Sequence, residues 1–541
     1  MKTKLLLIAI LIIAIFLRFY QLGINPPSLT WDEAAWGYNA YSLGIDGRDE
    51  FGKFLPYQYL ESFGDFKPPM YAYLDILPVK LFGLTAFSTR FPSALFGVLT
   101  VLATYFLVIR IFYSAKHKSV YGLISSFVLA ISPWHIMLSR AAFEANIATF
   151  LVVCGVLFFL IGIQEKRWSL IFSAIFFVLS FYTFNSARVA VPLIVISLAI
   201  LFHRQLWERR KEAVIACIVG LFLLLPIVKF LFSPQASLRF KEVNIFSDVS
   251  IIKKSNQDIA YDNNALYSKI IHNRRILYGM EFLKHYFDNL SPSFLFIKGD
   301  GNPKFSIQDV GQMYLFELPF FIVGILFLFK KKEGYWFIIP LWLLLAVIPA
   351  ATARETPHAL RTEVALPTFQ ILVAYGIYQL LFSENIRKNI QRPLLVLSSF
   401  FLIISVIYFQ RDYYIHYPRE YAGEWQYGYK DSITYTTSVA KTFDNIYITD
   451  FLGRPYIYYL FYTKTEPNFF RQHAVIQRDP FGFVNVVHFG KYTFNSDVHK
   501  NVQSSSRNLF IDISSKIPNS AHILKTFYLL NGNPVLVAYT T

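Results

Sequence analysis

The sequence predicts a polytopic, mainly α-helical membrane protein that ends in a small α/β domain. Three observations support this prediction. The 541 residues are 55% hydrophobic and only 16% charged, with a mean hydropathy of +0.40, which is too apolar for an ordinary soluble protein. Apolar runs of nearly spanning length recur along the chain, and Lys and Arg concentrate in alternate connections between them. After about residue 410 the chain changes to short β-type runs separated by turn residues.

About eleven segments have the length and composition needed to cross roughly 30 Å of hydrocarbon. They lie at about 4–20, 88–113, 120–138, 145–164, 168–184, 188–203, 211–232, 312–330, 334–351, 365–383 and 393–409. The first segment has a basic start but lacks a small-residue cleavage pattern, because Arg18 and Phe19 follow it directly. We therefore expect a retained first span with a cytoplasmic amino terminus, in a cell membrane crossed many times.

The basic residues divide the connections into two sets. The predicted cytoplasmic set is rich in Lys and Arg and contains Lys116, Lys118, Lys166, Arg167, Arg204, Arg209, Arg210, Lys211, Lys330, Lys331, Lys332, Arg387, Lys388 and Arg392. The opposite set includes the outer loops 23–87 and 233–311 and everything after about 410. The net charge of +16 follows from this topology, so no nucleic-acid partner is expected.

Two domains follow from this pattern. We expect a transmembrane domain over 1–409 and an extracytoplasmic α/β domain over 410–541. Within the first outer loop, residues 70–82 are apolar but carry two charges and are too short to span, so they predict a helix lying in the interface. In the carboxyl-terminal domain the pattern predicts strands at 445–449, 483–489, 508–513 and 535–539, and helices at 431–443 and 455–462.

Two adjacent carboxylates, Asp32 and Glu33, follow the first span and lie between Trp31 and Trp36. A partly buried carboxylate of raised basicity suits general-base chemistry. The alternative is that the pair solvates the loop or caps a short helix beginning near Ala34. Neighbouring residues on a helix do not share a face, so we expect the two carboxylates to have different roles.

Cationic side chains on the predicted outer face are candidates for holding a phosphate. Lys67 precedes two prolines at the membrane surface, and Arg90 lies just ahead of the second span. A long cationic side chain there can reach a lipid phosphate, although ordinary interfacial anchoring explains both positions equally well.

The densest cationic cluster of this face lies between residues 352 and 363. Arg354, His358 and Arg361 could surround a phosphate, since Arg supplies forked donors and His a titratable one. The alternative is a set of salt bridges to Glu355 and Glu363.

Four further residues are site candidates. Arg140 and Glu144 are four residues apart, so a helix would place them on one face as an ion pair that fixes a helix entrance. Arg188 lies close enough to an apolar run to be costly without an anion. Asp300 belongs to the turn-rich segment 291–303, which suits a lid, an acceptor groove or a structural Ω-loop.

Several classes of site are not indicated. The two cysteines, Cys154 and Cys217, lie in apolar runs, which argues against a disulfide framework, a cysteine metal site or a thiol nucleophile in the outer loops. The sequence contains no HExxH, Walker or nucleotide-binding glycine pattern, so a soluble nucleotide-sugar donor has no evident binding site.

The order of these motifs resembles that of the GT-C membrane glycosyltransferases, and within them the bacterial family 39 group related to protein O-mannosyltransferases and to the aminoarabinose transferases of lipid A. The resemblance covers about the first 430 residues. Its elements are Asp32-Glu33-Ala34, Gly44 to Gly52 with Pro56, Lys67-Pro68-Pro69, Arg90-Phe91-Pro92-Ser93, Arg140 to Glu144, the Ser-Pro-x-Phe-Leu-Phe and Gly-Asp-x-Asn elements at 291–302, and Pro357-His358-x-x-Arg361. Where many relatives carry Arg-His after the Gly-Asp-x-Asn-Pro element, this chain has Lys304-Phe305.

The resemblance implies transfer of a hexosyl or pentosyl group from a polyprenyl-phosphate carrier to a lipid, glycan or protein acceptor on the outer face of the membrane. It implies a single inverting displacement with Asp32 as the general base. Glu33 would orient the acceptor or, with Asp32, bind a divalent cation, and no other cofactor is expected. Cationic residues at the interface would stabilise the charge that develops on the departing phosphate.

Two other classes of protein compete with this interpretation. A transporter or lipid flippase would place ionisable residues or broken helices at mid-bilayer, whereas here the charges cluster at one face. An outer-face assembly protein built on the carboxyl-terminal segment would leave the upstream loops unexplained.

Overall fold

The computed structural model describes residues 2–233, 236, 243–383, 387–478, 484–500, 502 and 506–541. Parts of the predicted outer loop 233–311, and Phe483 of a predicted strand, lie outside the described residues. The chain forms two compact units. The first comprises Met1–Leu17, Phe96–Leu138 and Glu144–Ile407, and the second comprises Arg18–Leu95, Ser139–Phe143 and Tyr408–Thr541.

The first unit is built from helices, some of which continue along the chain into the second. Its α-helices are Lys2–Phe19, Ala86–Ile111, Lys118–Ile131, Pro133–Arg140, Glu144–Gln164, Ser169–Phe181, Ala187–Leu201, His203–Glu208, Arg210–Leu231, Val249–Tyr261, Leu266–Ile271, Arg274–Asp288, Leu318–Lys331, Ile338–Ala351, Ala359–Thr362, Thr368–Leu381 and Lys388–Arg411. Short 3-10 or π turns lie at Ile245–Ser247, Ser293–Ile297, Leu315–Glu317 and Glu363–Ala365.

Each of the eleven apolar segments predicted from the sequence contains a helix. Among the described residues, four helices are long and apolar enough to cross a membrane: Ala86–Ile111, Glu144–Gln164, Arg210–Leu231 and Lys388–Glu420. Two further pairs of helices, each bent by more than 40° at a short break, would raise this number to six. The helical segments are therefore confirmed, and the count of about eleven spans stays a prediction.

Two glycines allow a close helix crossing in the first unit. The helices Leu318–Lys331 and Thr368–Leu381 pack together at Gly324 and Gly376. A methyl group on Gly324 would overlap the carbonyl group of Leu372, and one on Gly376 would overlap that of Phe320. The two backbones are therefore closer at this point than any side chain would permit.

The second unit combines a helical layer with a mixed β-sheet. Its first loop forms the helices Trp31–Asp46 and Met70–Phe82 and a ribbon of strands β1 (Leu60–Ser62) and β2 (Asp65–Lys67). The later strands are β3 (Asn445–Thr449), β4 (Ala474–Arg478), β5 (Val484–Phe489), β6 (Tyr492–Asn495), β7 (Asn508–Asp512), β8 (His522–Tyr528) and β9 (Pro534–Thr540). The other helices include Tyr417–Glu420, Tyr429–Val439, Pro455–Thr463 and Pro467–His473.

The seven-stranded sheet has the order β4-β5-β6-β3-β7-β9-β8. Strand β3 runs parallel to both of its neighbours, β6 and β7, whereas all other pairs are antiparallel. The predicted α/β domain and its strands β3, β5, β7 and β9 are therefore confirmed, as is the helix predicted at 70–82. Strands β4, β6 and β8 were not predicted.

One hydrophobic core joins the first loop to the carboxyl-terminal segment. Ala34 and Tyr38 of the helix Trp31–Asp46 pack in the same buried cluster as Ile457 and Phe461. Residues 18–95 consequently form one compact unit with the carboxyl-terminal segment. The sequence-based division into 1–409 and 410–541 follows composition and does not reflect this packing.

Candidate functional site

The two adjacent carboxylates lie in the first turn of the helix Trp31–Asp46. The hydroxyl group of Thr30 accepts a hydrogen bond from the backbone N–H of Glu33 at 3.2 Å, and the Glu33 carboxylate accepts one from the Thr30 N–H at 2.9 Å. This reciprocal pair is a capping box, which fixes the first residue of the helix. Thr30-x-x-Glu33 is the sequence signature of this cap, and the sequence analysis did not identify it.

Glu33 is fully buried, and both of its carboxylate oxygens are occupied. Oε1 accepts hydrogen bonds from Nε of Arg90 at 2.8 Å and from the backbone N–H of Ala142 at 3.0 Å. Oε2 accepts one from Nη2 of Arg90 at 3.2 Å, in addition to the capping bond from Thr30. This carboxylate therefore links the helix start at Thr30 to Arg90 and Ala142, and it has little capacity left for a ligand.

Arg90 is also fully buried. Its guanidinium donates to the carbonyl oxygens of Leu22, Pro26 and Ser28, at 3.2, 2.9 and 2.5 Å. These three hydrogen bonds and the two to Glu33 use all five N–H groups of the guanidinium. Contrary to the phosphate role predicted from the sequence, Arg90 fixes the loop 22–28 and has no donor left for an anion.

Asp32 has the opposite environment to Glu33, because half of its side chain (50%) is exposed. It forms an ion pair with the ammonium group of Lys67, whose side chain is only 11% exposed. That ammonium lies 5.4 Å from the ring centroid of Trp36 and 5.5 Å from that of Phe63. The result is a carboxylate open to solvent beside a cation that is held between aromatic rings.

A tight turn brings Lys67 to this position. Strands β1 and β2 are joined at Phe63 and Gly64, which both have positive φ angles, of 60° and 81°. Consecutive residues of this kind form the turns that match the twist of a two-stranded ribbon. Phe63 therefore shapes the site in two ways, through its backbone and through its ring, and the sequence analysis did not identify it.

Arg140 is buried in the second unit and supports the backbone there. It donates to the Tyr413 hydroxyl at 3.1 Å and to the carbonyl oxygens of Arg18 and Asn25, at 3.2 and 2.9 Å. The single helix predicted to carry Arg140 and Glu144 on one face is not formed. One helix ends at Arg140 and the next begins at Glu144, in the other unit.

In the first unit, Asp300 and His358 lie together. The buried Asp300 carboxylate accepts hydrogen bonds from the N–H groups of Asn302 at 2.8 Å and Ala359 at 2.6 Å. Its Oδ2 lies 3.9 Å from Nδ1 of His358. Burial raises the pKa of the Asp300 carboxyl to about 6, although the two hydrogen bonds and the charge of Arg361 oppose this change.

The structure divides the cationic cluster predicted between residues 352 and 363. His358 and Arg361 lie near Asp300, and the His358 ring packs on Phe305 with 5.0 Å between centroids. Arg354 instead donates to the Asn244 carbonyl at 3.3 Å and lines a separate cavity of about 450 Å³. The lining of this cavity includes Arg354 but neither His358 nor Arg361.

Arg188 and Glu144 occupy helix ends of the first unit. Arg188 donates to the Phe181 carbonyl at 3.0 Å and to the Asn185 side chain at 2.8 Å, which closes the turn before the helix Ala187–Leu201. Glu144 is the first residue of the helix Glu144–Gln164. Arg188 therefore closes a turn, and Glu144 lies at a helix start, where an acidic side chain is favoured.

The predicted divalent-cation site does not fit the arrangement of Asp32 and Glu33. Asp32 pairs with Lys67, whereas Glu33 uses both oxygens for Arg90, Ala142 and Thr30. Within the described ranges, no three His, Cys, Asp or Glu side chains are grouped so as to hold a metal ion. A cation would have to displace the buried Arg90 in order to bind both carboxylates.

Comparison with known proteins gives one family and several structures. Residues 66–230 match the family described as dolichyl-phosphate-mannose-protein mannosyltransferase. ArnT from Cupriavidus metallidurans bound to undecaprenyl phosphate is 12% identical, with a TM-score of 0.54 over 98% of this chain and 97% of that chain. The apo state of the same protein gives 0.52 at 12% identity, over 99% and 97% of the two chains.

An oligosaccharyltransferase from Archaeoglobus fulgidus in its apo form is 13% identical, with a TM-score of 0.51 over 85% of this chain and 63% of that chain. The search of curated proteins gives no match. The chain thus has the fold of the GT-C membrane glycosyltransferases, and the resemblance indicated by its motifs is confirmed at the level of that superfamily.

Proposed function

We propose that this protein is a glycosyltransferase that moves a sugar from a polyprenyl-phosphate-linked donor to an acceptor hydroxyl, with Asp32 as the general base. The observation that carries the proposal is the ion pair of Asp32 and Lys67, a half-exposed carboxylate beside a nearly buried cation. The relatives support the donor class, since ArnT was solved with undecaprenyl phosphate and the matching family is described by dolichyl-phosphate-mannose.

In the proposed reaction the acceptor oxygen attacks the anomeric carbon of the donor while the bond from that carbon to the phosphate oxygen breaks. Asp32 takes the acceptor proton, and the polyprenyl phosphate leaves with the electron pair of the broken bond. Because attack and departure occur on opposite faces of the sugar ring, the anomeric configuration inverts. Lys67 stabilises the negative charge that grows on the departing phosphate, a contribution that is largest in the transition state.

Glu33 and Arg90 act as positioning residues in this proposal. Their buried contacts fix the capped helix start against the loop 22–28, so the neighbouring Asp32 is held in one place. A base held in position loses less entropy when the substrate binds. The choice of Asp32 over Glu33 rests on exposure, because only Asp32 can contact an acceptor.

Within the first unit, His358 and Arg361 are proposed to contact a phosphate, beside the buried Asp300 carboxylate. The proposed location is the plasma or inner membrane, with the amino terminus in the cytoplasm and the carboxyl-terminal domain outside. The alternation of basic loops and the four to six helices of spanning length support this placement.

The test measures sugar transfer by purified protein from a polyprenyl-phosphate-linked donor. Asp32→Asn should lower the transfer rate by two to four orders of magnitude, roughly the contribution of a general base, while insertion and purification stay normal. Asp444→Asn is the matched control, because Asp444 is equally exposed (49%) and is also ion-paired, to Arg507. Full transfer by the Asp32 variant would refute the assignment.

A second measurement in the same preparation separates the donor site from the base. Lys67→Met should weaken binding of undecaprenyl phosphate by roughly 10- to 150-fold, the effect of one charge-assisted hydrogen bond. Lys80→Met, in the same loop but at an exposed position, should bind as the unaltered protein does. Movement of lipid without sugar transfer would instead indicate a flippase.

A further inference from the structure

A cavity with a mostly apolar wall and a few polar groups lies beside the proposed catalytic pair. It measures about 310 Å³, and its lining includes Trp31, Asp450, Gly453, Arg454, Tyr456 and Asn485. We propose that this cavity binds a saccharide unit of the acceptor and presents a hydroxyl group of that acceptor to Asp32. The inference rests on the proposed transferase activity and adds to it the chemical class of the acceptor.

The first argument is the place of the cavity in the fold. Asp450 directly follows β3, the strand with parallel neighbours on both sides, and Arg454 lies four residues further on. Phe494, near the carboxyl end of β6, forms another part of the wall. Open α/β sheets bind their ligands beyond the carboxyl ends of their parallel strands, and this cavity occupies that position.

The second argument is the chemistry of the lining. The rings of Trp31, Tyr456 and Phe494 supply apolar surface, while Asp450 and Arg454 supply an acceptor and donors of hydrogen bonds. A pyranose ring presents an apolar C–H face together with hydroxyl groups that both donate and accept. Pockets for small polar ligands combine the same elements, a mostly apolar wall and a few fixed polar groups.

The polar groups of the cavity are held in place by their neighbours. Arg454 donates from Nη1 to the Asn485 side chain at 2.8 Å and to the Val484 carbonyl at 3.3 Å. Gly453, at φ +99°, lies against the Trp31 ring, and a methyl group there would come within 2.7 Å of two ring carbons. Contacts within the chain therefore fix this wall, which lowers the entropic cost of binding.

The third argument is that the cavity lies close to the proposed base, Asp32. Trp31 lines the cavity and directly precedes Asp32. The Phe63 ring lies between the two sites, with the Arg454 guanidinium 5.4 Å and the Lys67 ammonium 5.5 Å from its centroid. The volume of 310 Å³ lies at the lower end of the ~300–1,000 Å³ typical of ligand pockets, which suits one or two sugar rings.

The experiment measures saccharide binding to the full chain in detergent. The probes are methyl glycosides of hexoses and of N-acetylhexosamines, observed by saturation-transfer NMR at millimolar concentration. We expect saturation transfer to at least one glycoside with the unaltered protein. The signal should weaken by roughly tenfold or more in Asp450→Asn and in Arg454→Gln, because each removes a charged hydrogen-bonding group.

Two controls make the result specific. Arg507→Gln removes an exposed arginine of the same domain and should leave glycoside binding unchanged. Asp444→Asn, at the exposed partner of Arg507, should also retain binding. The measurement requires no sugar transfer, so it remains valid even if the transferase assignment fails. Thermal unfolding midpoints of the Asp450 and Arg454 variants establish that they are folded.

The proposal is overturned if no glycoside receives saturation, or if the Asp450 and Arg454 variants bind glycosides as well as the Arg507 control does. The proposal is also overturned if the protein binds no glycoside but transfers sugar to a peptide, because the acceptor would then be a polypeptide. The proposal is supported if both cavity variants lose glycoside binding while both control variants retain it.

Discussion

At the scale of single residues, two neighbouring carboxylates of one helical turn have opposite environments. Successive side chains on a helix point about 100° apart, so Asp32 reaches solvent while Glu33 is turned into the core. Both are ion-paired, but only the pair of Glu33 and Arg90 is fully buried. The same local sequence thus supplies the accessible carboxylate proposed as the base and the buried ion pair next to it.

Glu33→Gln should destabilise the second unit. It leaves the buried Arg90 guanidinium without its counter-charge, and breaking a buried ion pair in this way costs about 3–5 kcal/mol. The thermal unfolding midpoint in a fixed detergent should therefore fall clearly. Asp32→Asn makes the same change from carboxylate to amide one position earlier, at a half-exposed site, and should shift the midpoint much less. Equal shifts in the two variants would contradict the structural role of Glu33.

Glu50 should make stability depend on pH. Burial raises the pKa of its carboxyl from 4.5 to about 8, against hydrogen bonds from Asn39 and Ser62. Because the folded state binds this proton more tightly, the stabilisation is full below about pH 4.5 and is lost as pH rises towards 8.

Glu50→Gln removes this titration. The unfolding midpoint of the unaltered protein should fall, relative to that of the Gln variant, between pH 5 and pH 8. The measurement is a series of thermal melts of both proteins across that range. Parallel pH profiles would show that folding does not raise the pKa of the Glu50 carboxyl.

The sequence indicated some residues of the proposed site but not the residues that contact them. Asp32 and Lys67 were predicted, since each belongs to a short motif next to a membrane segment. The bond between Glu33 and Arg90 joins residues 57 positions apart, and no local pattern indicates which distant cation a buried carboxylate will contact. The sequence therefore left Arg90 open as a phosphate ligand or an interfacial anchor, because the burial of its side chain could not be read from its position.

At the scale of elements, the length of an apolar segment predicted a helix reliably, whereas the strands at the edges of the sheet were not predicted. All eleven apolar segments contain helices because their length and composition leave few alternatives. Strands β4 and β8 lie at the two edges of the sheet, where most of their residues are exposed, so they lack the alternation of buried and exposed residues that predicts a strand. Their position depends on pairing with β5 and β9.

Gly324→Ala should weaken the crossing of the helices Leu318–Lys331 and Thr368–Leu381. The added methyl group overlaps the Leu372 carbonyl, so the helices must separate, at a cost of about 1–3 kcal/mol. Gly279→Ala is the control, because that helical glycine has open space around it and alanine favours a helix by about 1 kcal/mol. A lowered unfolding midpoint is expected for the first variant only; unchanged stability in both would contradict the close crossing.

At the scale of the whole molecule, the alternation of basic loops predicts which face each segment occupies. The protein has only two cysteines, Cys154 and Cys217, so both can be replaced by serine and single cysteines introduced elsewhere. In intact cells, a membrane-impermeant maleimide should label Ser520→Cys in the carboxyl-terminal domain. Lys166→Cys should react only after lysis, and the reverse pattern would invert the proposed orientation.

The core shared by the first loop and the carboxyl-terminal segment has a consequence for biosynthesis. The Tyr38 hydroxyl donates to the Thr465 carbonyl at 3.1 Å, a contact across 427 positions of the chain. The helix that carries Asp32 is among the first parts to leave the ribosome, yet several of its packing partners, such as Ile457 and Phe461, are among the last. A nascent chain therefore lacks this part of the core until translation has passed Thr465. A premature stop codon before that point leaves the helix of the proposed active site without these partners.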